Sequence, residues 1–297
     1  MTNKTLNKAK RDKKDEFYTQ YEDVEKGLKQ FLHCFKNKVV YCNCDDYRVS
    51  NFVKYFVDNF KTLGLKKLVS TCYIDQQVDL LSFTTPEPAL YFEYDGVNKV
   101  SKPLNTDGDF RSEECLNILK QCDVIVTNPP FSLCKDFVDV VMDNDKQFLI
   151  ICHQNHLKYT NVFNYIKNNK LWVCGGFKSD ETFFISNYED YAKDTHHKEG
   201  MIRVSGCVWL SNIPTVVKPL VLTKSYDPEL YPKYDNYDAI NVDKLTDIPC
   251  DYKGLMGVPI TILKYYNPFV KQFKIIEKLH SPYLYGKELY SRIVVEF

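Results

Sequence analysis

No apolar run among these 297 residues approaches the roughly 20 that a bilayer-crossing helix needs. The first thirty residues also lack the continuous apolar segment of a secretory signal. A protein without a membrane association, cytoplasmic and in a reducing compartment, is expected. The eleven cysteines include no C-x-x-C pair, and Cys42 and Cys44 are separated by one residue. Neither a disulfide framework nor a structural zinc site is therefore implied, and no metal is expected. Net charge is lacking too. Lys+Arg and Asp+Glu both number 39, which removes any global pull toward nucleic acid and leaves such binding to local patches. Internal repeats and low-complexity tracts are absent.

What is present is ample apolar material, 44% hydrophobic and 14% aromatic, enough for a sizeable core. Residues 1–14 carry Lys4, Lys8, Lys10, Arg11, Lys13 and Lys14 against Asp12 alone. This is either a phosphate-seeking arm or a solvated terminus. Beyond it, Val24, Leu28, Phe31, Leu32 and Phe35 recur at helical spacing over 21–36. Lys38–Cys44 reads as a buried strand, Ser50 or Asn51 as the cap of a helix carrying Phe52, Tyr55, Phe56 and Phe60, and Lys67–Tyr73 as a second strand. The alternation of β and α predicts a parallel sheet. Asp95-Gly96 marks an inserted hairpin, and Ser112 with Glu113 and Glu114 starts a further helix. A strand over 123–127, a helix through Phe137, Val138, Val141 and Met142, and a strand over 147–152 complete four or five β/α units before residue 155. The remainder is richer in β signals, with strands expected over 201–209, 216–222, 259–263 and 292–297 and a helix near 270–279. His153 and His156 have no third ligand at a recognisable spacing and read as polar lining.

One tetrapeptide stands apart. Asn128-Pro129-Pro130-Phe131 directly follows the Val- and Ile-rich run, and consecutive prolines forbid both a continued ladder and an immediate helix. A rigid backbone thus presents an amide at the carboxyl end of a strand, where open α/β sheets bind ligands. Asn128 and the Pro129 carbonyl can accept from an exocyclic amine, and Phe131 can stack on a planar ring. Methyl transfer to an amine needs mainly positioning. The donor S-adenosylmethionine would find partners at successive strand tips. Asn43, Asp45 and Asp46 are suited to its ammonium, and Asp109 and Phe110 to its adenine.

These residues carry a family resemblance. Lys14-Asp15-Glu16-Phe17-Tyr18-Thr19-Gln20, Val39–Asp46, Ser50-Asn51-Phe52, Gly108–Ser112, Val126–Ser132, Tyr231–Val242 and Met256–Thr261 together resemble the EcoRI-type adenine-specific DNA methyltransferases of restriction-modification systems and phages. The resemblance implies a Rossmann-like α/β methyltransferase sheet with a β-rich carboxyl-terminal DNA-recognition region. It divides the chain into a basic flexible arm (1–14), a cofactor-binding and catalytic core (15–175) and a target-recognition region continuing the fold (176–297). The implied activity is transfer of a methyl group from S-adenosylmethionine to the N6 amine of an adenine flipped out of double-stranded DNA. Asn128, Pro129, Pro130 and Phe131 would be catalytic. Phe17, Tyr18, Thr19, Cys42, Asn43, Asp45, Asp46, Asp109, Phe110 and Asn128 would hold the cofactor. Lys10, Arg11, Lys13, Lys14, Lys233, Tyr234 and Tyr237 would meet DNA, and a cognate restriction endonuclease is the partner such a system implies. Two departures stand out. The loop Asn43-Cys44-Asp45-Asp46 has no glycine where most methyltransferases are Gly-rich, and Cys72-Tyr73 occupies the place of the acid that holds the ribose. Methylation of protein glutamine or RNA guanine, and a catalytically inactive DNA-binding relative, stay open as alternatives.

Overall fold

The structure is a computed structural model that describes residues 18–74, 87–177, 183–185, 201–215, 217–267, 269–270 and 272–297. The basic arm, Phe17, Asp75 and the polar stretch 186–199 lie outside the described residues. Two compact units are formed, Met1–His153 with Phe177–Ile213, and Gln154–Gly176 with Pro214–Phe297.

The first unit begins with β1 (Tyr18–Thr19), helix α1 (Tyr21–Leu28) and a 3-10 continuation over Lys29–Cys34. Val24, Leu28, Phe31 and Phe35 are all buried, so the helical spacing legible in the sequence is the buried stripe. Then come β2 (Val39–Cys42), α2 (Asn51–Asp58) and β3 (Lys67–Thr71). Ser50 caps α2 as expected, its hydroxyl accepting from the Phe52 and Val53 amides and satisfying donors that a helix start leaves open. A hairpin of β4 (Leu90–Tyr94) and β5 (Lys99–Pro103) follows. Its turn is built by Asp95, whose carboxylate accepts from the Val97 and Asn98 amides. Ser112 caps α3 (Glu113–Lys120), which leads to β6 (Val124–Thr127), α4 (Cys134–Asp143) and β7 (Gln147–His153).

The chain gives β8 (Trp172–Gly176) to the second unit, then returns with β9 (Phe183–Ile185), β10 (Met201–Arg203) and β11 (Cys207–Ser211). The expected strand 201–209 is thus two, broken where Gly206 takes φ 81°. Seven strands of the first unit form one sheet in the order β5-β4-β3-β2-β6-β7-β11. Its centre, β3-β2-β6-β7, is parallel, whereas β4 and β11 run antiparallel to β3 and β7. The parallel centre is buried on every strand, which is why those segments read as continuous apolar runs. A small antiparallel sheet, β1-β9-β10, accompanies it.

The second unit holds β12 (Ile240–Asn241), β13 (Met256–Val258), β14 (Lys274–Leu279) and β17 (Arg292–Glu296), in the order β12-β13-β17-β14, and a hairpin of β15 (Tyr283–Leu284) and β16 (Lys287–Glu288). It also holds helix α5 (Thr160–Lys167). Three expectations change here. The segment read as a helix near 270–279 is β14, paired with β17 through a register shift between Ile275 and Glu277. That bulge destroys the period-two alternation that would have marked a strand. The strand expected over 259–263 is a 3-10 helix, Ile260–Tyr265, and no regular strand forms over 217–222.

Within the first unit α1 packs on α2, and Gly27 meets the Trp209 indole so closely that an added Cβ would overlap the ring. Trp209 is also edge-on to Phe52 at 5.9 Å. Gly27→Ala is therefore expected to destabilise the protein by about 1–3 kcal/mol through overpacking, even though alanine favours the helix. A urea unfolding midpoint that stayed put or rose would contradict this packing.

Candidate active site

The ends of β2, β3 and β6 lie together because the three strands are parallel and in register, Cys42 opposite Ser70 and Tyr41 opposite Ile125. Each strand is followed by a residue singled out in the sequence. Asn43 follows β2, Cys72-Tyr73 follow β3 and Asn128 follows β6.

These ends are tied by one buried carboxylate. Asp45, 4% exposed, accepts from Ser50 Oγ at 2.6 Å and from Thr127 Oγ1 at 2.5 Å. Thr127 Oγ1 in turn accepts from the Cys44 amide at 3.2 Å. The Asp45 amide donates to the Thr71 carbonyl, and the Asp45 carbonyl accepts from Ser70 Oγ. Burial drives the Asp45 carboxyl up to about 6, against the lowering effect of its two hydroxyl donors. The side chain expected to face the cofactor thus ties β6 to the start of α2, while the Asp45 backbone joins the same loop to β3. Thr127 and Ser70 were not singled out by sequence reasoning. Their signal, a hydroxyl residue at or near the end of an apolar strand, is weak by itself.

Asn43 differs from its neighbours. It is 2% exposed, and its Oδ1 is buried without a hydrogen-bond partner among the described residues. A buried amide oxygen in this condition is costly unless a donor arrives. Cys42 lies fully inside β2, its thiol pushed well up by burial, so its side chain belongs to the core. Asp46 is engaged by Arg48, whose guanidinium approaches to 2.7 Å and also reaches Glu87 at 3.0 Å.

After β3 the Ile74 amide donates to the Asp107 carbonyl, bringing the loop Asp107–Phe110 alongside Cys72. Gly108 adopts φ 80°, and an added Cβ would overlap the Cys72 carbonyl, so only glycine allows this approach. Asp109 accepts from the Arg111 amide at 2.8 Å and pairs with its guanidinium at 2.6 Å. The Arg111 bonds hold its carboxyl below the usual range. Phe110 is buried against Phe137, ring centres 5.1 Å apart.

Asn128-Pro129-Pro130-Phe131 closes the arrangement. Pro130, at φ −52° and ψ 128°, keeps the strand from continuing, but contrary to expectation a 3-10 turn, Phe131–Leu133, starts directly after it and runs into α4, since proline at a helix's lead-in position leaves the following residues free to coil. Asn128 Nδ2 donates to Thr19 Oγ1 at 3.3 Å, and Asn51 Nδ2 donates to the Thr19 carbonyl at 2.8 Å. The amino-terminal strand β1 is thereby fastened beside the tetrapeptide, with Tyr18 next to it. Phe131 is buried edge-on to Phe184 of β9 at 6.4 Å.

In the second unit Lys233 is exposed and pairs with Asp238 at 2.6 Å, and the half-buried Tyr237 donates to Glu277. Tyr234 is placed otherwise than a DNA contact requires. It is 5% exposed, and its hydroxyl bonds Asn241 Oδ1 at 2.8 Å and lies 3.1 Å from the Gly257 carbonyl. Burial moves it up to about 12, and it braces β12 against β13.

A mixed α/β sheet with a parallel centre, and Asn128-Pro129-Pro130-Phe131 at the end of one central strand, is the arrangement of a Rossmann-like methyltransferase. The chain belongs to the family described as adenine-specific methyltransferase EcoRI, whose model matches residues 5–294. It is 45% identical over 293 residues to Type II methyltransferase M.EcoRI of Escherichia coli, covering 93% of this chain and 89% of that one. It is 38% identical over 289 residues to Type II methyltransferase M.MgeORF184P of Mycoplasma genitalium, covering 94% and 87%. It is also 38% identical over 288 residues to Type II methyltransferase M.MpnI of Mycoplasma pneumoniae, covering 94% and 86%. No solved structure matches the chain.

The Asp45 tie has a pH signature. Because its folded carboxyl is raised from 3.8 to about 6, proton uptake stabilises the fold fully below the unfolded value and loses that effect as pH rises through about 6. Each pH unit between the folded and unfolded titrations is worth about 1.4 kcal/mol, so relative to Asp45→Asn the native protein should gain roughly 3 kcal/mol between about pH 7 and pH 3. Urea titrations across that range measure the difference. A pH-independent gap between the two proteins would remove the carboxylate from this role.

Proposed function

We propose that the chain transfers a methyl group from S-adenosylmethionine to the N6 amine of an adenine flipped out of duplex DNA. The observation that carries this reading is Asn128-Pro129-Pro130-Phe131 at the tip of a central parallel strand, its amide hydrogen-bonded to Thr19. The donor contributes an electrophilic methyl on a sulfonium. Around it, the unpartnered Asn43 Oδ1 suits a hydrogen-bond donor of the cofactor, and Tyr18 and Thr19 stand beside the tetrapeptide to close over it. Asp109 and Phe110 suit an adenine ring, one accepting from its amine and the other giving an apolar face.

At the target, Asn128 and the Pro129 carbonyl accept from the two amine hydrogens, which turns the nitrogen lone pair toward the donor. Pro129 and Pro130 keep these acceptors from drifting as charge develops. Phe131 stacks on the flipped base. Since its ring now packs edge-on to Phe184, base entry requires this aromatic pair to part. Phosphate contacts fall to Lys10, Arg11, Lys13, Lys14 and Lys233, with Tyr237 nearby. The Type II designation of the relatives supports a restriction-modification setting in the cytoplasm, where methylation shields sites from a cognate endonuclease. Among the described residues no helix is long and apolar enough to cross a membrane.

Labelled S-adenosylmethionine and unmethylated bacterial DNA should yield labelled N6-methyladenine. Asn128→Ala is expected to lower the rate about 10²–10³-fold and Phe131→Ala about tenfold or more, both with folding intact. Long-read sequencing of DNA from expressing cells gives the modified base and its sequence context. Label in RNA or in protein glutamine, and none in DNA, would overturn the reading.

A further inference from the structure

The hairpin β15-β16 carries a feature that core packing does not explain. Its two-residue loop is Tyr285-Gly286, at φ 53° and φ 74°. Both residues of such a tight turn must be left-handed, a demand met at low cost by Asn or Gly and poorly by a bulky ring. Yet Tyr285 sits there with its side chain in solvent, 82% exposed, and Tyr290 just beyond is 86% exposed. Strain retained where the ring makes no core contact points to a task at that ring.

The hairpin is also held firmly. The Gly286 amide donates to the Asp235 carboxylate at 2.7 Å and the Asp235 amide to the Tyr283 carbonyl at 2.8 Å. Asn236 receives the Tyr283 amide through Oδ1 and donates to the Ser281 carbonyl through Nδ2, each at 2.9 Å. Asp235 and Asn236 thus clamp both the base and the tip. Lys287 and His280, both exposed, lie on or beside the hairpin with Glu288 next to Lys287, and Lys233, two residues from the clamp, pairs with Asp238. A rigid projection with an exposed aromatic ring at its tip and Lys287 beside that ring suits a nucleic acid, whose bases stack and whose phosphates attract the ammonium.

We propose that this hairpin is a DNA-contacting element, in which Tyr285 stacks on or wedges between bases and Lys287 meets a backbone phosphate. The assignment rests on duplex DNA being the substrate. An exposed ring on a rigid turn gains by stacking on a base, whichever base it meets. The clamp keeps the ring presented before DNA arrives, so little ordering remains to be done on binding.

Methyl transfer to unmethylated bacterial genomic DNA tests it, with kcat/KM for DNA as the readout. Tyr285→Asn keeps the turn and relieves its strain, so its thermal midpoint should equal or exceed that of the native protein while kcat/KM falls at least tenfold. Tyr285→Phe keeps the ring and should stay within about twofold. Lys287→Gln should reduce the salt dependence of log(kcat/KM) by about one unit of slope. A native enzyme active on DNA alongside a Tyr285→Asn variant of equal kcat/KM overturns the hairpin assignment alone. A native enzyme that labels no DNA overturns the substrate reading, and this inference with it.

Discussion

The contact on which the site depends is the buried carboxylate of Asp45 between two hydroxyls. Three parallel strands end within its reach, and without a common anchor each end would be an independent loop with its own entropy. Ser50 joins the anchor to the first turn of α2, Thr127 to the residue before the tetrapeptide, and Ser70 to the neighbouring strand. The cost of burying a carboxyl group there is visible in its displaced titration. What it stabilises is a fixed spacing between Asn43 and Asn128, the two amides that follow β2 and β6.

Around this anchor the polar and aromatic groups divide their work. The amides are either committed to backbone positioning, as Asn51 is to Thr19, or placed at strand tips. The aromatic rings fill the space between elements: Phe110 against Phe137, Phe52 against Trp209, Phe131 against Phe184. The last of these pairs includes the aromatic residue of the tetrapeptide. Burial of Phe131 against Phe184 keeps water from the end of β6, where hydrogen bonds are stronger than in solvent. In the second unit tyrosines are structural more than the sequence suggested, since Tyr231 and Tyr234 both spend their hydroxyls on backbone or core partners.

Much of the first unit was legible because its signals are local. The Ser50 and Ser112 caps, the Asp95-Gly96 turn and the Val-Ile run before Asn128 each act within a few residues, so composition and spacing show them directly. The tetrapeptide was legible because proline restricts the backbone wherever it stands. The second unit was harder. Lys274–Leu279 became a strand through its pairing with β17, and its bulge erased the alternation that would have disclosed it. The role of Asp45 was hidden for a related reason. A carboxylate after a strand reads equally as a ligand group or a tie, and only the burial of Ser50 and Thr127 around it decides between them. Nor does any shift in composition mark where the chain leaves the first unit after His153 and re-enters it at Phe177.

That departure and return has a consequence for how the protein is made. Strand β7 emerges from a ribosome well before β11, its outer neighbour, and the segment from Gln154 to Gly176 that comes between them belongs to the other unit. During that interval the apolar strand Phe148–Cys152 has one edge of unpaired backbone, the kind of template that recruits other chains. That edge closes only when Cys207–Ser211 has been made and pairs with it.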